Sequence, residues 1–288
     1  VRYRGRDVLG LPPNSQSIVA LLALGVLDGF DLAAADEATR LHREIEALRL
    51  GFEFAIDEVG EPDDAMLERV REALRPEALA ARRERIGDQA TDRVRLEGGN
   101  ASDTTYVCAV DAEGNAVSLM SSICGTFGSW LLAGDTGVIL NNRASQFSTR
   151  PGHPNALAPG RRPRHTILPG MVLRDGLPEI LLGCIGLNNH PQGIVQTLVD
   201  VLDLGMNPQQ AVDAPRFRVV MTDGTLQLDP GIPERIVADL AARGHRLGDR
   251  AGFKGAAQLV HLHRGENGVG PCLETGVDHR LDGVALGW

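Results

Sequence analysis

The chain has 288 residues, 43% of them hydrophobic and 23% charged, enough apolar material for a substantial core and too ordered a composition for a disordered chain. Acidic residues outnumber basic ones by 38 to 29, a formal charge of −9, which argues against a nucleic-acid footprint and against adhesion to an anionic membrane. The longest apolar run, Ile18 to Leu27, is shorter than the roughly 18–20 residues that a membrane-spanning helix needs. The chain starts at Val1 without a signal-peptide pattern, so a fragment or processed product is expected and its compartment stays open. Cys108, Cys124, Cys184 and Cys272 are scattered, with no CxxC pair to suggest a zinc site or a disulfide framework.

The first hundred residues are helical in pattern. Pro12-Pro13-Asn14-Ser15 forms a turn, and Ser15 or Ser17 is expected to cap an apolar helix reaching about Phe30. Leu41, Ile45, Leu48 and Phe52 recur at helical spacing between Glu37 and Phe54. Pro62-Asp63-Asp64 opens a short helix through Leu74, and a charged helix covers about Glu77 to Ile86. From Gly87 to Asp103 periodicity fails, which predicts a polar linker. After Thr104 the period changes to that of strands. Thr105–Asp111 and Ala116–Ser121 predict one hairpin, Met171–Leu173 and Ile180–Leu182 a second around Asp175-Gly176, and Gly137–Leu140 a short strand. Helices follow from Pro191, from Asn207-Pro208 and from Pro233 to Ala242. Strands are expected near Phe217–Val220, Thr225–Leu228, Gln258–His263 and Gly270–Glu274. The whole predicts a layered α+β fold.

Common nucleophile and phosphate motifs are missing: there is no GxSxG, SxxK, HExxH or Walker lysine. His261 and His263 share a strand face and are read as a surface pair, with no metal or other cofactor required. One junction carries chemistry. At Asp103-Thr104-Thr105 a linker meets a strand, and a threonine freed there by self-cleavage has an α-amine of pKa near 8 to accept its own hydroxyl proton. Without context, Thr104 is only the first residue of a strand.

The context is a run of motifs. Thr104-Thr105-Tyr106 leads into an apolar strand and Asp111-Ala112-Glu113-Gly114-Asn115-Ala116-Val117. Phe127-Gly128-Ser129, Gly137-Val138-Ile139-Leu140-Asn141-Asn142, Arg162-Pro163, Ala214-Pro215-Arg216-Phe217 and the closing Asp278-His279-Arg280-Leu281-Asp282-Gly283 follow in order. With Pro12-Pro13-Asn14-Ser15 and Gly60-Glu61-Pro62-Asp63 upstream, this order resembles the γ-glutamyltranspeptidase family of N-terminal-nucleophile hydrolases across essentially the whole chain. The resemblance implies a four-layer αββα sandwich. It also implies that residues 1–103 end a large subunit and 104–288 form a small subunit, together one composite catalytic domain. The family precursor is about twice as long, so a large-subunit remainder upstream of Val1 is implied as a partner.

Carried over residue by residue, the resemblance implies cleavage between Asp103 and Thr104, with Thr104 as nucleophile and Ser122 as its supporting hydroxyl. The segment Gly183-Cys184-Ile185-Gly186-Leu187 stands where the family forms its oxyanion hole, with Gly186 and Leu187 supplying backbone donors. The acyl pocket departs from the family. Arg143 and Gln146 replace acidic or amide groups that hold a glutamate ammonium, Cys124 replaces an asparagine, and His165-Thr166 replaces a serine pair. Losing a carboxylate at Gln146 and gaining Arg143 at a Gln/Glu position reverses the charge asked of the ligand. The leading expectation is a self-processing amidohydrolase or acyltransferase acting on a small, non-glutamyl acidic acyl donor such as an oxalyl or oxamate-like compound, or on a secondary-metabolite intermediate. Water or an amine accepts the acyl group. An ordinary γ-glutamyltransferase or glutathione hydrolase, and a non-catalytic homologue, remain the alternatives.

Overall fold

A computed structural model describes residues 1–91, 103–186, 188–250, 255–265 and 271–287. The predicted linker therefore lies mostly outside the described residues. Two short strands that the sequence pattern did not reveal, β1 (Arg2–Tyr3) and β2 (Arg6–Leu9), open the chain as a hairpin. Helix α1 (Ser17–Leu27) is buried along nearly its whole length and packs on α2 (Glu37–Glu58). Neither serine caps α1 from the N-cap position, which Gln16 occupies without a side-chain hydrogen bond. Ser15 instead accepts from the Ser17 backbone N–H and donates to the Ile167 carbonyl, tying the helix start to a later loop. Asp36 and Asp63 do cap α2 and α3 (Asp64–Ala73), and proline begins α4 (Pro76–Arg83).

The predicted hairpins form β3 (Asp103–Val110) with β4 (Ala116–Cys124), and β5 (Gly170–Arg174) with β6 (Leu177–Ile185). Strands β9 (Ala256–His263) and β10 (Cys272–Val277) complete a six-stranded antiparallel sheet in the order β1-β2-β5-β6-β9-β10. The segment expected as a strand at Gly137–Leu140 makes only one isolated bridge, Leu132 to Ile139. Its apolar side chains are spent at the surface, Val138 being 57% exposed.

Helices α5 (Asn189–Leu202) and α6 (Pro208–Asp213) cover one face of the large sheet, and the β3–β4 hairpin stacks on the other. Adjacent residues of β6 separate the two faces. A Cβ on Gly193 would meet the Cys184 sulfur on the helical side, whereas a Cβ on Gly183 would lie 2.3 Å from the Tyr106 ring on the hairpin side. Both contacts require the glycine. Two glutamines of α5 stand in for a strand: Gln192 and Gln196 each accept from and donate to the backbone of β7 (Phe217–Val219). β7 then pairs with β8 (Leu226–Leu228), and α7 (Glu234–Ala242) packs against α2. The α+β class is that expected, and the order helices, sheet, second sheet gives three of the four layers of the expected αββα sandwich among the described residues. Val107, Val117 and Leu119 point outward from the hairpin and are each more than half exposed.

At the chain's end, Asp278 is buried against Arg216, with Nη1 to Oδ2 at 2.6 Å, and accepts from the Ala257 backbone N–H. Arg216 also donates to the Gly255 and Val212 carbonyls. The residues after Asp278 run from this anchor along the hairpin. Gly183→Ala is expected to force the hairpin off the sheet at a cost of about 1–3 kcal/mol, the usual penalty of overpacking. Denaturant unfolding measures it, and an unchanged midpoint would show that the two sheets do not stack through this glycine.

Candidate active site

Register places the two hydroxyls together. In the antiparallel β3–β4 pair, Thr104 lies directly opposite Ser122, and a bulge interrupts the register between Asp103 and Thr104. Directly opposed side chains point to the same face with Cβ atoms roughly 5 Å apart. That face is also the one from which Tyr106 and Met120 are buried. Ser122 Oγ accepts from the Cys124 backbone N–H at 3.0 Å. Cys124 is buried in a left-handed conformation (φ +79°), and the chain turns sharply there. Asn142 fastens that turn, accepting from the Gly125 N–H through Oδ1 at 2.8 Å, a contact for which a Cβ on Gly125 would leave no room.

Arg143 begins a short 3-10 turn, Arg143–Gln146, whose first and last residues lie on the same side. Its guanidinium donates to the Ser122 carbonyl at 3.3 Å and to the Thr166 hydroxyl at 3.4 Å. It is half-buried, and burial works against its charge. Among the described residues it forms no ion pair. The Cys124 thiol is pushed up by burial, while the neighbouring Arg143 charge pulls the other way. Gln146 is tethered through its backbone, its carbonyl accepting from Asn155 Nδ2 at 2.6 Å.

His165 and Thr166 approach from a loop clamped to the start of α1. The His165 N–H donates to the Asn14 carbonyl, and the His165 carbonyl accepts from the Gln16 N–H. Asn14 Nδ2 also donates to the Pro163 carbonyl at 2.5 Å. His165 Nδ1 accepts from the Ile167 N–H at 3.2 Å, which assigns the ring proton to Nε2. Burial, then the Arg143 and Arg162 charges, lower its pKa to about 4. At neutral pH it is an uncharged donor beside a charged one.

The third component is the end of β6. Thr104, Gly183 and Ile185 line one groove of about 500 Å³, which runs between β3, β9, β10 and the tail Leu281–Leu286. Gly186 follows at φ +120°, a conformation suited to glycine, and its carbonyl accepts from the Asn189 N–H at the start of α5. Leu187 lies outside the described residues. Asn189 is buried under this corner, and a Cβ on Gly186 would crowd its amide at 2.9 Å. Thr104, Ser122, Cys124, Arg143 and Thr166 thus cluster through direct contacts and register, with His165 beside them. Gly186 directly follows Ile185, the last residue of β6 to line the groove. Arg143 and His165 do not line that groove; they stand across the hairpin end from it. Asn142 and Asn14, the residues that fasten the two loops, lie inside the Gly137–Asn142 and Pro12–Ser15 motifs, whose spacing carries no signal of that role.

Such an arrangement has the parts of an N-terminal-nucleophile hydrolase: a hydroxyl at a strand start, a partner hydroxyl opposite, and a sharp glycine turn at a helix start. The family model described as gamma-glutamyltranspeptidase matches residues 1–288. The glutathione hydrolase-like YwrD proenzyme of Bacillus subtilis is 36% identical, over 99% of this chain and 54% of its own length. The oxamate amidohydrolase proenzyme of Klebsiella pneumoniae is 32% identical, over 100% of this chain and 54% of its own. A cephalosporin acylase structure from Bacillus halodurans superposes with a TM-score of 0.86 at 34% identity, covering 100% of this chain and 52% of that one. The chain belongs to the γ-glutamyltranspeptidase family. It spans about half the length of the curated relatives that it matches.

The His165 ring tests the local electrostatics. Because the folded ring resists a proton that the unfolded ring accepts at its ordinary value of 6.5, this group's contribution to stability is lost as pH falls from 6.5 through about 4. In Arg143→Gln, NMR titration of the ring should show its midpoint rising but staying below 6.5, since burial is the larger cause. A midpoint unmoved by that substitution would place the guanidinium away from the imidazole.

Proposed function

We propose that this chain carries the catalytic machinery of a self-processing N-terminal-threonine amidohydrolase or acyltransferase whose donor is a small acidic acyl group other than γ-glutamyl. Residues 1–103 then close a large subunit and residues 104–288 form the small one, the two making a single composite domain. In maturation the Thr104 hydroxyl adds to the Asp103 carbonyl, and the peptide C–N bond breaks as an ester forms. The freed nitrogen keeps the proton. Water hydrolyses the ester, leaving a carboxyl terminus at Asp103 and an amino terminus at Thr104. In turnover the Thr104 amine takes the hydroxyl proton, the acyl group passes to Oγ, and water or an amine releases it. Ser122 supports that proton transfer, and backbone N–H groups at Gly186 and Leu187 receive the oxyanion.

The observation that carries the substrate reading is Arg143: a half-buried guanidinium, paired with no described carboxylate, held against the backbone of the residue opposite Thr104. A γ-glutamyl ammonium in that place meets a like charge, whereas an acid next to the scissile carbonyl meets a planar fork that binds it with two bonds. Neutral His165 adds a donor without adding repulsion, and Thr166, Cys124 and Gln146 complete the pocket. One relative is named for oxamate, an acid of this kind.

Two experiments decide the matter. Intact mass spectrometry of the precursor should show cleavage at Asp103–Thr104 in the wild type and one uncut chain in Thr104→Ala, with Ser122→Ala slowing both maturation and turnover by roughly 10²-fold. Cleavage at that bond in Thr104→Ala would remove Thr104 from its role. Comparing kcat/KM for an oxalyl amide and a γ-glutamyl amide, the oxalyl compound should win in the wild type and lose most of its lead in Arg143→Gln. A wild-type preference for the γ-glutamyl compound returns the protein to the glutathione hydrolases.

A further inference from the structure

Away from the hairpin, the large sheet assembles a second constellation. His261 and His263 stand two residues apart on β9 and share a face. β10 runs antiparallel with Glu274 opposite His261, so its carboxylate projects from that face too. His263 Nε2 lies 3.1 Å from Glu274 Oε2, the two imidazole centroids are 4.1 Å apart, and one ligand-competent atom from each of the three residues lies within 4.8 Å of the others. Neither histidine lines the groove beside Thr104, to which β9 contributes Ala256, Gln258, Leu259 and Val260.

We propose that His261, His263 and Glu274 form a binding site for a divalent transition-metal ion of the zinc type. Two imidazole nitrogens and a carboxylate oxygen are its preferred donors short of thiolate, and three protein ligands leave a further position open. That position faces a cavity of about 630 Å³, also lined by Arg174 and Arg264, where water or a small anion can enter. The side chains are 16%, 39% and 42% exposed, so the ion reaches them from solvent and modest side-chain rotation closes the set around it.

A neighbouring carboxylate keeps this cluster in shape. The β5–β6 register shifts where Glu179 sits between the Val172–Ile180 and Leu173–Pro178 pairs, and its carboxylate comes within 3.8 Å of His261 Nε2. Arg6 and Arg174 hold that carboxylate, which keeps it an outer partner of the histidine and not a ligand. The other His-Glu-His grouping, His42, Glu46 and His245, differs in kind. It is buried, its imidazoles bond to each other and to the Gly87 carbonyl, and Glu46 is taken by Arg49 and Thr91. Among the described residues, His245 Nδ1 alone of its ring nitrogens has no hydrogen-bond partner, so the cluster does not offer three ligands at once.

The test is calorimetric titration of chelator-stripped protein with zinc chloride, with cobalt(II) absorption as a second readout. One ion per chain is expected. His263→Ala and Glu274→Gln should each weaken binding at least tenfold and abolish the visible cobalt bands of a low-coordinate site, whereas His279→Ala, at an exposed histidine elsewhere, should leave both unchanged. Circular dichroism checks that the variants keep the fold. No saturable uptake, or uptake that persists in the His263→Ala/Glu274→Gln double variant, overturns the proposal.

Discussion

An aromatic ring pressed against a residue without a side chain holds the candidate active site together. Tyr106 on β3 lies over Gly183 on β6, and from that contact the register of both strands places Thr104 near the end of β6. The nucleophile candidate and the candidate oxyanion turn sit on different sheets. They meet only because those sheets approach closely, and a side chain at position 183 would part them. Everything local to Thr104, including the bulge before it and Ser122 opposite, is then supplied by the hairpin itself.

On the other side of the hairpin the governing fact is electrostatic. Arg143 brings a positive charge into a half-buried place, and the groups around it are a carbonyl, a hydroxyl, a thiol and a neutral imidazole. None of these neutralises it. A charge held in that way costs desolvation energy, and under the proposed function an anionic acyl group offsets that cost.

Much of this was legible in the sequence, for reasons that differ by element. The β3–β4 hairpin shows apolar runs around polar turn residues, and α2 shows apolar spacing behind an aspartate cap, so both elements are legible, with ends that differ from the structure by up to four residues. β1 and β2 were invisible because two and four residues, half of them charged, carry no periodic signal. Gly137–Leu140 misled in the opposite sense: its apolar run lies in a loop that presents it to the surface. Motif order names the candidate site residues, but the company that Arg143 keeps is a tertiary fact. So is Glu274 beside His261, since strand register is not written in either strand alone.

Two motifs that stand sixty residues apart close the molecule. Arg216, from Ala214-Pro215-Arg216-Phe217, and Asp278, which opens the terminal Asp278–Gly283 motif, are one buried ion pair, and Arg280 ties the same corner to the Val212 and Ala214 carbonyls. Beyond this corner, Val284 and Leu286 are more than 70% exposed while still lining the groove beside Thr104. The wall is therefore suspended: one end is fixed by charge in the interior, and the rest rests lightly on the surface. Substitutions at Val284 and Leu286 reshape the groove wall at little cost to the core. The same freedom is denied to Arg216 and Asp278, where losing either partner strands the other's charge in the core.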